Sequence, residues 1–129
     1  GSPNDNPFLE PSREYFAQET DPYEEPVLSA HRDLPELVKF LGELEASGEK
    51  ADILAVAGLS AALPGVVVMS CSLPVIGVPV PGGPLNGIDA LLAIAQCPGG
   101  VPCTTVGLHK KTPVNAAMAA HRILKLAGL

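Results

Sequence analysis

The stretch ADILAVAGLSAALPGVVVMSCSLPVIGVPV, residues 51–80, decides the fold class of this chain. Ala51 to Val56 is a short apolar run, and the small-residue segment behind it, Ala57 to Leu63, is broken by Gly58 and leads into Pro64, which suits the first turn of a helix. Leu63 to Cys71 then reads as that helix and Pro74 to Val80 as a second β-prone run. Strand, helix and strand in so short a span make a βαβ unit. Strands this uniformly apolar need cover on both faces, so the sheet is expected to be parallel with helices on either side.

A membrane span is the competing reading, because Ile53 to Met69 is apolar except for Ser60. The run falls short of the roughly 20 residues a span needs, and Gly58, Pro64 and Gly65 interrupt it. A buried strand, a loop and a helix account for it better.

Downstream, Asn86 to Gln96 reads as a helix and Pro102 to Gly107 as a β-prone segment. Thr112 to Leu126 is a helix with a Thr N-cap, Pro113 at its first helical position and Gly128 just past its end. Upstream, Leu34 to Ala46 places Leu37, Phe40, Leu41 and Leu44 on one face, the pattern of an amphipathic helix, and Tyr23 to Leu28 is a shorter strand candidate. The 129 residues are enough for one domain with a real core. Residues 1–129 are therefore read as a single α/β domain.

Hydrophobic residues make up 47% of the chain but aromatics only 4%, with no Trp, so the core must be built from Ala, Val, Leu and Ile. The net charge of −6 divides into −8 over residues 1–50 and +2 over residues 51–129. No basic patch with interleaved aromatics appears, which sets nucleic-acid binding aside. Cys71, Cys97 and Cys103 are odd in number and form no C-x-x-C pair, which argues against a disulfide framework and a zinc site and fits a reducing cytoplasmic setting. Residues 53–108 carry one charged side chain, Asp89, and so poor a supply of charge points to surface hidden in a homo-oligomer. Asp89 itself reads as a cap at the start of its helix or as half of a pair across an interface, capping being the simpler.

Parallel sheets bind ligands beyond the carboxyl ends of their strands. Ser29-Ala30-His31-Arg32 falls at such a place, with His31 as a titratable group and Arg32 able to hold a phosphate. Ala57-Gly58-Leu59-Ser60-Ala61-Ala62-Leu63 offers backbone N–H groups to an anion or a flat ring. Pro79 to Gly87, with three Pro and three Gly, is a more irregular loop than a plain turn requires. His109 and His121 read as structural or solvent-facing, and the opening Gly1-Ser2 can be read as an expression scar.

In order along the chain, Ser29-Ala30-His31-Arg32, Leu73-Pro74-Val75-Ile76-Gly77-Val78-Pro79, Leu85-Asn86-Gly87-Ile88-Asp89, Pro98-Gly99-Gly100-Val101-Pro102 and Asn115-Ala116-Ala117 follow one pattern. It resembles that of the purine-biosynthesis enzymes that make 4-carboxy-5-aminoimidazole ribonucleotide, either as N5-carboxyaminoimidazole ribonucleotide mutases or as aminoimidazole ribonucleotide carboxylases. The resemblance implies a three-layer α/β/α sandwich around a parallel flavodoxin-like sheet, with a first strand expected before Gly1. It also gives the opening a role, since Gly1-Ser2-Pro3-Asn4-Asp5 follows the family's Gly-Ser-x-Ser-Asp loop with Asn4 in place of the second Ser. By the same resemblance Ser2, Asn4 and Asp5 contact phosphate and ribose, and Ser29, Ala30, Arg32, Ala57, Gly58, Leu59, Ser60 and Leu63 complete the substrate pocket.

The resemblance further implies His31 as general acid and base, no metal or organic cofactor, a small ribonucleotide and CO2 as partners, and a cytoplasmic homo-octamer in which Leu85, Asn86 and Gly87 reach a neighbour's site. One departure bears on the reaction: the Ala57 loop lacks the His that mutases carry before Leu-Pro-Gly and is two residues shorter, a length more like the CO2-using carboxylases. Arg32 and Leu85-Asn86-Gly87 favour the mutase. The expectation is the mutase, then the carboxylase, then a non-catalytic nucleotide-binding or assembly module of the same fold.

Overall fold

The computed structural model describes residues 1–129. After a 3-10 turn at Pro3–Leu9 come α1 (Glu10–Glu19), α2 (Leu34–Ser47), β1 (Ile53–Ala57), α3 (Leu63–Ser70), β2 (Val75–Pro79), α4 (Ile88–Ala95), β3 (Thr104–Thr105) and α5 (Thr112–Leu126). The strands form one parallel sheet in the order β1-β2-β3, with Ile53 opposite Val75 and Ile76 opposite Thr104. No helix is long and apolar enough to cross a membrane.

Alternation along the strands splits the core in two. Ala55, Ala57 and Val75 face Leu37 and Leu41 of α2, Leu63 and Val67 of α3 and Ala90 of α4. Val56, Ile76 and Val78 face Ala116 and Ala120 of α5, with Phe8 and Leu9 packed at the edge. Helices therefore cover both faces of the sheet, as its apolar strands demanded. Without Trp, close approach replaces bulk: a Cβ on Gly77 would stand 2.5 Å from Cγ2 of the fully buried Ile94, so α4 lies almost on the backbone of β2.

Three local expectations change. Tyr23 to Leu28 forms no strand; Tyr23 to Val27 are exposed, Leu28 packs against the core, and Pro26 lacks the N–H that a ladder needs. Arg13 on α1 anchors it instead, through Nε to Glu25 Oε1 at 2.8 Å. The second correction is at α5, where Thr112 is the first helical residue and not the cap. Its buried hydroxyl donates to the Gly107 carbonyl at 3.0 Å and accepts from the His109 amide at 2.7 Å, pinning the preceding loop. Third, the β-prone run Pro102 to Gly107 pairs over only two residues.

Candidate active site

The loop before α2 is built by two side chains. Ser29 Oγ accepts from the amides of His31 and Arg32 at 3.2 and 3.3 Å, and Asp33 Oδ2 accepts from the Ser29 amide at 2.9 Å. The Asp33 amide donates to the Ser29 carbonyl at 2.8 Å, closing the turn in the other direction. Ala30 packs inward against the core, while His31 and Arg32 remain exposed. With its backbone satisfied locally, the turn presents His31 without spending the imidazole on structure.

His31 lines an open groove of about 830 Å³ between α2, α3 and α4. Leu34 and Val38, Ser60 to Ala62, Met69, Asp89, Cys97, Pro98 and Val101 also line it. Asp89 does not cap its helix. Its Oδ1 atom is buried with no hydrogen-bond partner, while Gly87 takes the N-cap position in a left-handed conformation. The sequence singled Asp89 out as the lone charge of the middle stretch but gave no sign that it shares a groove with His31.

At the carboxyl end of β1, the amine of Gly1 donates to the Val56 carbonyl at 2.8 Å and lies 3.5 Å from Asp5 Oδ2. Ser2 and Asp5 form a capping box: the Ser2 amide donates to Asp5 Oδ2 at 2.9 Å and Ser2 Oγ accepts from the Asn4 amide at 3.2 Å. The turn is thus a built element whose backbone amides are spent within it, the Asp5 amide on the Ser2 carbonyl at 3.1 Å, and Asp5 is buried beneath it.

The Ala57 loop joins this end of the sheet to α3. Val80 donates to the Ala57 carbonyl at 3.0 Å, Leu59 is left-handed with φ 53°, and the Ala61 and Ala62 amides turn back onto Leu59 and Ser60. Leu63 is buried in the core. Leu59 projects instead onto Gly83, where an added Cβ would come within 2.5 Å of its Cδ2. The Ala57 and Pro81–Gly87 loops therefore lean on one another within one chain.

Of the residues expected at the site, the groove gathers His31 and Ser60. Ser2, Asn4, Asp5 and Arg32 stand outside its lining, Asp5 being buried, and Leu85 and Asn86 are exposed beside Gly87. No group of three or more His, Cys, Asp or Glu side chains is placed to hold a metal ion.

The model of the family described as AIR carboxylase matches residues 1–128. The chain belongs to the AIR carboxylase family. It is 44% identical over 124 residues to the N5-carboxyaminoimidazole ribonucleotide mutase of Saccharolobus solfataricus, a match that covers 96% of this chain and 77% of that protein. It is 40% identical over 124 residues to the phosphoribosylaminoimidazole carboxylase of Candida glabrata, of which it spans 21%. Among solved structures, Treponema denticola PurE superimposes with a TM-score of 0.87 at 28% identity, covering 98% of this chain and 77% of that one. The parallel sheet between helical layers is thus the architecture of this family, as the motifs along the chain implied.

Proposed function

We propose that this member of the AIR carboxylase family interconverts N5-carboxyaminoimidazole ribonucleotide and 4-carboxy-5-aminoimidazole ribonucleotide, a step of purine biosynthesis, with His31 as general acid and base. The observation that carries the reading is the Ser29–Asp33 turn, which holds His31 exposed at the groove with its imidazole unpaired. An imidazole whose ordinary pKa is about 6.5 can donate and accept a proton in the same neutral medium.

In the forward direction protonated His31 gives its proton to N5 as the N5–carboxylate carbon bond breaks, releasing CO2 and the neutral aminoimidazole. The electron-rich C4 attacks the CO2 carbon, and neutral His31 removes the C4 proton. Atoms and charge balance with no added reagent. The enzyme must confine CO2 and exclude water, a task suited to the apolar side chains of Ala61, Ala62 and Val66 in the groove lining.

Ser2, Asn4 and Asp5 are assigned to phosphate and ribose, and Ser29, Ala30, Arg32, Ala57, Gly58, Leu59 and Ser60 complete the pocket. Arg32 suits the phosphate because it enters none of the chain's ion pairs. We further assign the active form to a cytoplasmic homo-octamer. Exposed Leu34, Val38, Met69, Leu85, Ile88 and Leu92 supply the apolar surface for assembly, and the Leu85-Asn86-Gly87 loop reaches a neighbour's site.

Purified protein given N5-carboxyaminoimidazole ribonucleotide, or aminoimidazole ribonucleotide with bicarbonate, tests the assignment. Faster turnover of the first supports the mutase; turnover of the second alone replaces it with direct carboxylation, and nucleotide binding without turnover replaces both with a binding module. A sedimentation profile of monomer at micromolar concentration would remove the octamer.

A further inference from the structure

Past α1 the chain doubles back on that helix. Thr20 is left-handed at φ 59°, the Asp21 amide donates to the Phe16 carbonyl at 3.0 Å, and the Tyr23 ring lies 5.2 Å from that of Phe16. One step further along, Glu25 meets Arg13 in a fork, Nε to Oε1 at 2.8 Å and Nη2 to Oε2 at 2.9 Å. The other side of the same guanidinium faces the 3-10 turn: Nη1 donates to the Asn6 carbonyl at 3.1 Å and to Glu10 Oε2 at 3.0 Å, and Nη2 donates to Asn6 Oδ1. Every N–H of the guanidinium is thus spent.

We propose that Arg13 is a positioning residue whose guanidinium fixes the Ser2–Asp5 turn relative to the segment that enters the Ser29–Asp33 turn. The inference rests on the proposed function, which gives both turns to the nucleotide. Asn6 directly follows Asp5, the buried carboxylate that holds the Ser2 amide. Glu25 precedes Ser29 by a short link in which Pro26 fixes φ and Leu28 packs on the core. One side chain therefore ties together two segments that nothing in their local sequence joins.

An exposed ion pair contributes little to stability, but the Arg13 side chain is only 21% exposed and its fork sets direction as well as distance. The Ser29–Asp33 turn keeps its own shape through its internal hydrogen bonds. Arg13 governs where that turn stands, and with it the fit of a nucleotide held from both sides.

The test compares wild type, Arg13→Gln, Glu25→Gln and the double variant in steady-state turnover of N5-carboxyaminoimidazole ribonucleotide, beside thermal melts. Each single variant should raise KM about fivefold while kcat stays within about twofold, the mark of lost substrate binding. The double variant should raise KM no further than the worse single, because both changes break one link. Cleavage of Arg13→Gln after Glu24 by a glutamate-specific protease, which needs no substrate, should run about fivefold faster than in the wild type.

An unchanged KM, an unchanged cleavage rate or additive single effects overturns the positioning role, and so does a lowered melting point with KM unmoved. Wild-type turnover decides the underlying reading separately. If the wild type binds the nucleotide without turnover, that reading falls and the calorimetric Kd takes the place of KM; if it does neither, both fall.

Discussion

The Ser29 amide donates to Asp33 Oδ2 across the turn that carries His31, at 2.9 Å. Nothing else holds that carboxylate in an ion pair, so its work is local: it fixes the backbone on which the proposed acid-base group stands.

Asp33→Ala should therefore lower kcat more than it lowers stability. Loss of one such hydrogen bond costs about 1 kcal/mol, whereas a loosened catalytic group loses roughly tenfold or more in rate. His31→Asn keeps the turn and removes the proton carrier, and should lower kcat by about 100-fold or more. Steady-state rates beside thermal melts separate the two effects. Full activity in His31→Asn would end the assignment.

Gly77→Ala tests the contact between α4 and the sheet. The new methyl meets Cγ2 of Ile94 at 2.5 Å, and a buried β-branched side chain has little freedom to yield. Overpacking of this kind costs about 1–3 kcal/mol, read as a lower urea midpoint. Replacing Ile94 by Ala in the same chain should recover part of the loss, because the two changes share one space.

Gly83→Ala carries two penalties, a left-handed backbone at φ 67° and a 2.5 Å approach to Cδ2 of Leu59. Only the second vanishes in Gly83→Ala with Leu59→Ala. Melting of the single and double variants should show partial recovery, leaving a residual backbone cost of about 1 kcal/mol.

Asp52 gives a pH signature. Burial, and then the charge of Asp21, push its carboxyl up from 3.8 to about 6, and its Oδ2 atom is buried without a partner. A folded-state value raised in this way favours the protonated form. Its stabilising contribution is complete below about pH 4 and is lost as pH rises through 6. Asp52→Asn should therefore melt higher than the wild type above pH 6, by on the order of 1 kcal/mol after allowance for solvent screening. The advantage should fade towards pH 4. Equal melting of both proteins at pH 8 would contradict the burial argument.

His121 adds a neighbouring tie that the chain's order conceals. Its Nδ1 meets Asp21 Oδ2 at 2.8 Å and its ring packs edge-on against Tyr15, joining α5 to the end of α1. Of the two readings open to it, structural or solvent-facing, the structure selects the first. A hundred residues separate the partners, so no local pattern could have paired them.

Residues 51–80 by themselves determined the class of this protein. A βαβ unit with strands too apolar to face water admits few architectures, and β1, α3 and β2 fall within a few residues of where their composition put them. Side-chain period likewise placed Leu37 and Leu41 of α2 in the core, and the order of short motifs carried the family. Local chemistry at Ser29 and Asp33 was present in the sequence, but its geometry was not, because a side chain bonds to whichever amide the folded turn presents. Tertiary structure alone decided that Tyr23 to Leu28 finds no strand partner and that Asp89 turns from a cap into an unpaired carboxylate beside the groove of His31. Periodicity and capping are written in neighbours a few residues apart. A groove between three helices depends on how they pack, and the packing is set by long-range contacts that no local stretch of sequence contains.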